Sequence, residues 1–261
     1  MDTRGNLAGR TFDPRRPKWR GPLWAEARTA FDALMTDPDD TQKALDVMYA
    51  LDPGALQRDL ARFLAHPTGR RLYDERSSLR EALEPEKLQS LPDGSLGRAF
   101  LAHLEHWQLD TDELFALNWD HERAAFADEG MRWFIERSVL LHDMWHVLAG
   151  YGADDLGEAA LLPFSLAQQS GLGRTLLTLG SVLRAWQQAA WDWPREVAAA
   201  WRQGHRAVDL TCVPYEEILA EPLEDVRAAL GLRSPEAAHR GRVPRGGGSA
   251  LQRREHTSRA A

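Results

Sequence analysis

Apolar side chains recur along this chain at three- and four-residue spacing, and the strict alternation of a half-buried strand is nearly absent. The pattern predicts helices over residues 24–36 and 41–49. Another follows from Leu51 to His66, with Asp52 as cap and Pro53 at the first position. A short polar helix is expected over Glu81–Gln89. The turn Leu91-Pro92-Asp93-Gly94-Ser95-Leu96-Gly97 then leads into a helix over 95–107. Asp112–Asp120 reads as short and helical, and a long helix starts at Phe126 or Glu129 and runs to Ala149. Glycines break the chain between Gly150 and Gly157. Helices resume over Glu158–Gln169, Leu172–Trp191 and, after Pro194, 195–206. Pro214–Ala220 and Leu223–Leu230 close the pattern, with Gly231 as a C-terminal cap. The fold class that follows is all-α, a single mostly helical domain. The weakest internal boundary falls near residues 70–90.

Charge divides the chain into three parts. Residues 1–20 carry six basic and two acidic side chains, and residues 233–261 carry seven Arg and two Glu. With a formal net charge of -7 overall, the middle is strongly acidic. We therefore expect a basic, mobile tail over 1–22, a helical domain over 23–232, and a basic Gly/Arg-rich tail over 233–261. An acidic body argues against a broad nucleic-acid footprint, so no nucleic-acid partner is expected. The single Cys212 excludes an internal disulfide framework and a multi-cysteine metal cluster. No apolar run reaches membrane-spanning length, and residues 1–22 lack a signal-peptide core, so a cytoplasmic protein is expected. Of the ten Trp, Trp186, Trp191, Trp193 and Trp201 crowd one stretch, as core or as a surface anchor. Core is the better reading.

One segment carries chemistry. His142 and His146 are four residues apart, so a helix puts both imidazoles on one face, with Asp143 at its border. Imidazole and carboxylate suit a divalent metal. Glu158 lies twelve residues beyond His146; in one straight helix that is about 18 Å along the axis. Gly150, Gly152 and Gly157 allow the chain to turn back, so that Glu158 can begin a second helix facing the first. The zinc-peptidase pattern is absent, because Asp143 stands where that pattern has Glu. By spacing alone, a metal site and a pair of packed, hydrogen-bonded histidines stay equally open. His66, His103, His106, His121, His205, His239 and His256 lack such spacing. Arg137, five residues before His142, is a candidate to reach a carboxylate near the site. Arg174 and Arg184 are candidates for lipid headgroups, with solvation as their default role. Leu161-Leu162-Pro163-Phe164 with Leu172, Leu176, Leu177, Leu179 and Leu183 could line an apolar cleft.

The spacing His142-Asp143, two residues, His146, eleven residues, Glu158 resembles the hallmark of the Coq4 family of ubiquinone biosynthesis proteins. The segment Leu91–Phe100, the stretch Leu156-Gly157-Glu158, and the closing run with Tyr215-Glu216-Glu217, Pro222-Leu223, Arg227 and Leu230-Gly231 are similar to that family as well. The resemblance covers roughly 60–240 and is strongest over 60–232.

The resemblance implies an all-helical fold with a metal motif on two facing helices. Its ligands would be His142, Asp143, His146 and Glu158 around a divalent metal, expected to be zinc. It implies a role in coenzyme Q synthesis at the inner face of a membrane. The expected partners are a prenylated quinone precursor and other ubiquinone biosynthesis proteins, with a homo-oligomer also open. The leading expectation is an enzyme, a metal-dependent decarboxylase (a carbon–carbon lyase or oxidative decarboxylase). It would act at C1 of a polyprenylated 4-hydroxybenzoate-type precursor, with or without coupled hydroxylation. Asp143, His142 and Glu158 are its expected catalytic residues. A non-catalytic prenyl-lipid-binding scaffold and a metal-dependent hydrolase of another substrate are the alternatives.

Overall fold

The sequence predicts a helical array interrupted at glycine and proline, and the computed structural model has that form. It describes residues 23–36, 46–48, 50–52, 54–109, 129–169, 171–187 and 192–233. The two basic tails, the helix expected over Asp112–Asp120 and part of that over 41–49 lie outside these residues.

Helix α1 is Trp24–Thr36, and residues 46–48 and 50–51 are also helical. Helix α2 is Ala55–Ala65, α3 Pro67–Glu75, α4 Leu79–Ala82, α5 Pro85–Gln89 and α6 Leu96–Trp107. Then come α7 (Glu129–Ala149), α8 (Asp155–Gln168), α9 (Leu172–Gln187) and α10 (Trp193–Arg206). A 3-10 turn over Leu210–Cys212, α11 (Tyr215–Ile218) and α12 (Leu223–Ala229) complete the described chain.

Two sequence expectations change. The helix expected from Leu51 instead starts at Ala55 after Gly54, and the Asp52 carboxylate pairs with Arg58 at 2.5 Å rather than capping. The expected helix Glu81–Gln89 is two short ones. Pro85 lacks the N–H a continuous helix needs and so opens the second. Leu79, Leu83 and Leu88 are buried, which gives this stretch an apolar anchor that its polar composition hides.

The described residues form one all-helical domain. Its main core gathers Leu140, Leu141, Met144, Trp145 and Leu148 of α7 with Phe100 of α6, Phe164 of α8 and Tyr215 of α11. Burial of a large apolar side chain contributes roughly 1.5–3 kcal/mol, so these residues fix α7 at the centre. A smaller cluster joins Leu60, Phe63 and Leu64 of α2 to Met131 and Phe134 of α7. The turn before α6 is tied to the closing segment by Leu96 N–H donating to Glu221 O at 2.9 Å and Leu223 N–H donating to Gly94 O at 3.0 Å. Of the Trp cluster, Trp193 packs partly buried against the core, while Trp201 is exposed and stacks on His205. Trp186 and Trp191 lie outside the described side chains.

The cleft expected along Leu161–Leu183 is not a single wall. Leu161 and Phe164 are core residues, whereas Leu172, Leu176, Leu179 and Leu183 are exposed on one face of α9. A cavity of about 440 Å³ lies elsewhere, lined by His66, Val208, Cys212, Val213, Val226 and Leu230 among others, none of them from the histidine motif.

Candidate metal centre

Helix α7 carries the histidines, and its end is held firmly. Arg227 of α12 donates from Nε to Leu148 O at 3.0 Å and from Nη2 to Val147 O at 2.7 Å. A cation on carbonyls of the last turn is favoured both by hydrogen bonding and by the helix dipole. The chain then reverses within a few residues. Gly150 has φ +75, a conformation that costs other residues energy. A Cβ at Gly157 would stand 1.8 Å from Gly152 O, so only glycine lets the start of α8 approach the turn this closely. Asp154 caps α8, accepting from Gly157 N–H at 2.8 Å. The glycine-made reversal expected from the sequence is therefore present, with α8 beginning three residues earlier than anticipated.

His142, Asp143 and His146 form a cluster within the single helix α7, their ligand atoms within 4.8 Å of one another. His146 and Asp143 are buried, whereas the His142 side chain is about half exposed at 49 %. Glu158, brought back by the turn, is similarly open at 46 %. Its two carboxylate oxygens stand 3.4 Å from His142 Nε2 and 3.4 Å from His146 Nε2. The two Nε2 atoms are 3.3 Å apart. In a tetrahedral zinc shell with ligands at about 2.0–2.1 Å, neighbouring ligand atoms stand about 3.3 Å apart. The nitrogen and oxygen donors present thus fit a small divalent cation. The 4.8 Å span of the cluster that includes Asp143 is wider than such an edge.

Burial disfavours the charged form of His142, but hydrogen bonding to Glu158 and the charge of Glu158 outweigh it and raise the imidazole pKa. Burial would likewise raise Glu158; the charge of His146 and hydrogen bonds from both histidines prevail and hold it well below the usual carboxylate range. Asp143 moves the other way. Burial raises its pKa against the pull of His142 and His146.

A third imidazole, left aside for want of spacing, stands beside this cluster. The His103 ring lies against His146 with centroids 5.7 Å apart and planes inclined by 22°. Burial first, and then the charge of His146, push its pKa down to about 3, so it is neutral near pH 7. It is 9 % exposed. The signal that could have found it is the apolar stripe of α6, where His103 shares a face with Leu96, Phe100, Leu104 and Trp107. A histidine on such a stripe is buried, and α6 ends against the turn between α7 and α8: a Cβ at Gly152 would meet the Trp107 ring at 2.7 Å.

Arg137 does not reach the cluster. It is buried, pairs with Glu216 of α11 and donates to Val213 O at 2.9 Å. Arg174 donates to Gln169 Oε1 at 2.9 Å, and the Arg184 side chain lies outside the described ones.

The sequence profile of the family described as "Coenzyme Q (ubiquinone) biosynthesis protein Coq4" matches residues 29–236. This chain belongs to the Coq4 family. It is 31 % identical over 178 residues to the mitochondrial ubiquinone biosynthesis protein COQ4 of Arthroderma otae, covering 66 % of this chain and 62 % of that one. It is 30 % identical over 172 residues to the COQ4 homolog of Mus musculus, covering 65 % and 62 %. The match therefore spans about three-fifths of the length of these curated Coq4 relatives. A solved structure from Nostoc punctiforme, titled a putative ubiquinone biosynthesis protein, superposes with a TM-score of 0.60 over 82 % of this chain and 100 % of that one. At 17 % identity that likeness speaks for the fold.

Proposed function

We propose that this Coq4 protein is a metal-dependent enzyme that removes the C1 carboxylate of a polyprenylated 4-hydroxybenzoate-type precursor. The observation that carries the reading is the triangle of His142 Nε2, His146 Nε2 and the Glu158 carboxylate, with separations of 3.3 and 3.4 Å across α7 and α8. In this reading His142, His146 and Glu158 would hold one divalent ion, zinc by its preference for tetrahedral nitrogen and oxygen donors, and Asp143 is the fourth, wider-set donor. A bound ion supplies positive charge to an oxygen of the acidic head, which stabilises charge building up on the ring.

The chain's own groups do the rest. His142 and Glu158 are half exposed and form the open side that a substrate meets, while His146 and Asp143 close the floor. Asp143, buried beside both histidines, is in this reading the carboxyl placed to give or take a proton. As the C1–carboxylate bond breaks, its electron pair stays on the ring carbon, CO2 leaves, and C1 takes up a proton. Hydroxylation at the same carbon would require an oxidant in addition.

A non-catalytic prenyl-lipid-binding scaffold is the second reading. It draws support from Leu172, Leu176, Leu179 and Leu183, exposed at 38–58 % on one face of α9. Such a stripe suits contact with an apolar surface, and the same feature fits an enzyme working peripherally at a membrane. No described helix is long and apolar enough to cross one. Turnover of a prenylated 4-hydroxybenzoate by purified, metal-loaded protein decides between the readings. The enzyme reading expects CO2 release that disappears in His142→Ala with fold and lipid binding retained. Release unchanged in that variant removes the catalytic assignment, and lipid binding without any release leaves the scaffold.

A further inference from the structure

The large apolar side chains that this protein exposes are not scattered. Among the described residues there are ten, and seven of them lie on α9, on α1 or on the residue just before α1. On α9 they are Leu172, Leu176, Leu179 and Leu183. Their steps of four, three and four gather them on one face of the helix. The other side of α9 is already used. Leu177 packs on the small cluster around Val47, Thr178 is buried, and a Cβ at Gly173 would stand 2.4 Å from Met48 Cα. The leucine face is therefore not part of the core. A Cβ at Gly180, one turn from both Leu176 and Leu183, would meet no described atom within 4 Å.

Helix α1 comes to the same neighbourhood. Leu23 N–H donates to Ala50 O at 2.7 Å, and Ala27 and Ala30 pack in the Val47 cluster that also takes Leu177. Leu23, Trp24 and Phe31 stay exposed, Trp24 at 64 %. Helices α1 and α9 thus flank one small cluster and share a set of outward apolar groups.

Charge decides what such a surface meets. In a chain of net charge -7, residues 159–191 contain no Asp or Glu, and their only charged residues are Arg174 and Arg184. Residues 1–20, with six basic and two acidic side chains, run almost directly into Leu23 and Trp24. An acid-free apolar face beside a basic segment complements a surface that is negative outside and apolar within. A second copy of the chain fits less well. It would set one basic segment against another. The four leucines together expose only about two whole side chains, well short of the roughly 800 Å² that each partner of a stable dimer buries.

We propose that α1 and α9 form the face by which this protein docks on an anionic lipid bilayer. Trp24 and the α9 leucines enter the headgroup boundary, and the basic residues before Leu23 meet lipid phosphates. The inference starts from the α9 stripe noted above and adds the second helix, the charge and the lipid class. It holds for enzyme and scaffold alike, and its test involves no turnover.

The test is co-sedimentation of the full-length protein with vesicles of phosphatidylcholine alone and with vesicles containing about 30 % phosphatidylglycerol. Three variants probe the face: Leu176→Asn with Leu183→Asn, Trp24→Ala, and Lys18→Glu with Arg20→Glu. Trp201→Ala, an exposed tryptophan of α10, is the control. Helical content and oligomeric state without lipid are measured for each. Wild type should bind the charged vesicles about tenfold more tightly than the neutral ones. The leucine pair and Trp24→Ala should each weaken that binding about tenfold, and the charge reversal should remove most of the preference for charged vesicles. Trp201→Ala should bind like wild type. Wild-type protein that binds neither vesicle, or both equally, overturns the proposal. Full binding by the folded leucine pair or by Trp24→Ala does so too, as does a loss in Trp201→Ala as large as theirs. A wild-type dimer that the leucine pair converts to a monomer would give the face to a second copy and likewise overturn it.

Discussion

Two polar clusters share helix α7, about one turn apart, and they are built in opposite ways. At Arg137 the guanidinium meets both oxygens of Glu216 and the carbonyl of Val213. The opposite charges are protein groups, the arginine is sealed from solvent, and α7 is thereby locked to α11. At His142 and His146 the donors converge on one another instead. Two imidazole nitrogens and a carboxylate crowd within 3.4 Å, with His142 and Glu158 half open to solvent. A cluster whose charges are matched by buried protein groups holds a fold together. A set of converging donors left open to solvent and incomplete in this way is placed to meet a ligand.

The largest expected effect breaks the first cluster. Arg137→Ala strands the Glu216 carboxylate and should cost about 3–5 kcal/mol in denaturant unfolding. His142→Ala in metal-free protein should cost less than about 1 kcal/mol, because its ring is half exposed. If both variants lost stability equally, the contrast between a structural and an incomplete cluster would be gone. Next in size is Gly157→Ala. Its Cβ would collide with the Gly152 backbone, so the turn must shift, at about 1–3 kcal/mol and with weaker metal uptake. An unchanged melting temperature and metal affinity would mean that the close approach does not position Glu158.

A smaller effect is pH dependence of the metal-free protein. His142 has a raised folded pKa, so its contribution is full below the unfolded value and is lost as pH rises through the folded one. Asp143, raised by burial, acts in the same direction at lower pH. Glu158 is depressed, so its contribution is present above the unfolded carboxylate value and is lost only in strong acid. The metal-free melting temperature should therefore fall between about pH 6 and pH 8. Zinc affinity should rise over the same range as the proton leaves the His142 imidazole. Glu158→Gln should flatten the stability slope; a slope that persists would assign it to other groups. The smallest stability effect is expected far from both clusters. Leu179→Asn, on the exposed face of α9, should change stability within about 0.5 kcal/mol yet lower co-sedimentation with anionic liposomes several-fold. Unchanged sedimentation would remove α9 from any membrane contact.

Much of this was legible in the chain because it is local. Apolar spacing and Gly150, Gly157 and Gly231 as breaks act over a few residues, and they marked α6, α7, α8 and the closing helices closely. The motif residues were legible for the same reason, since an i, i+4 pair shares a helix face. What escaped depends on packing between distant segments. Arg137 finds Glu216 rather than the motif, because Tyr215 is buried in the core and carries its neighbour Glu216 to that side of α7. His103 lies in another helix, and nothing in its own neighbourhood says that α6 will end against the turn after α7. The leucines of α9 looked like lining for a cleft. Their neighbours Gly173 and Leu177 face Met48 and the small cluster around Val47 instead, which turns the stripe outward.

The central claim, that α7 and α8 are joined through one divalent ion, is tested most directly by metal content per folded chain. Wild type and Glu158→Ala are purified in parallel, reconstituted with zinc and checked for helical content. We expect close to one ion per wild-type chain and strong loss in Glu158→Ala at equal folding. Wild-type protein that folds fully and retains no metal after reconstitution, or a Glu158→Ala protein that retains it all, would contradict the account.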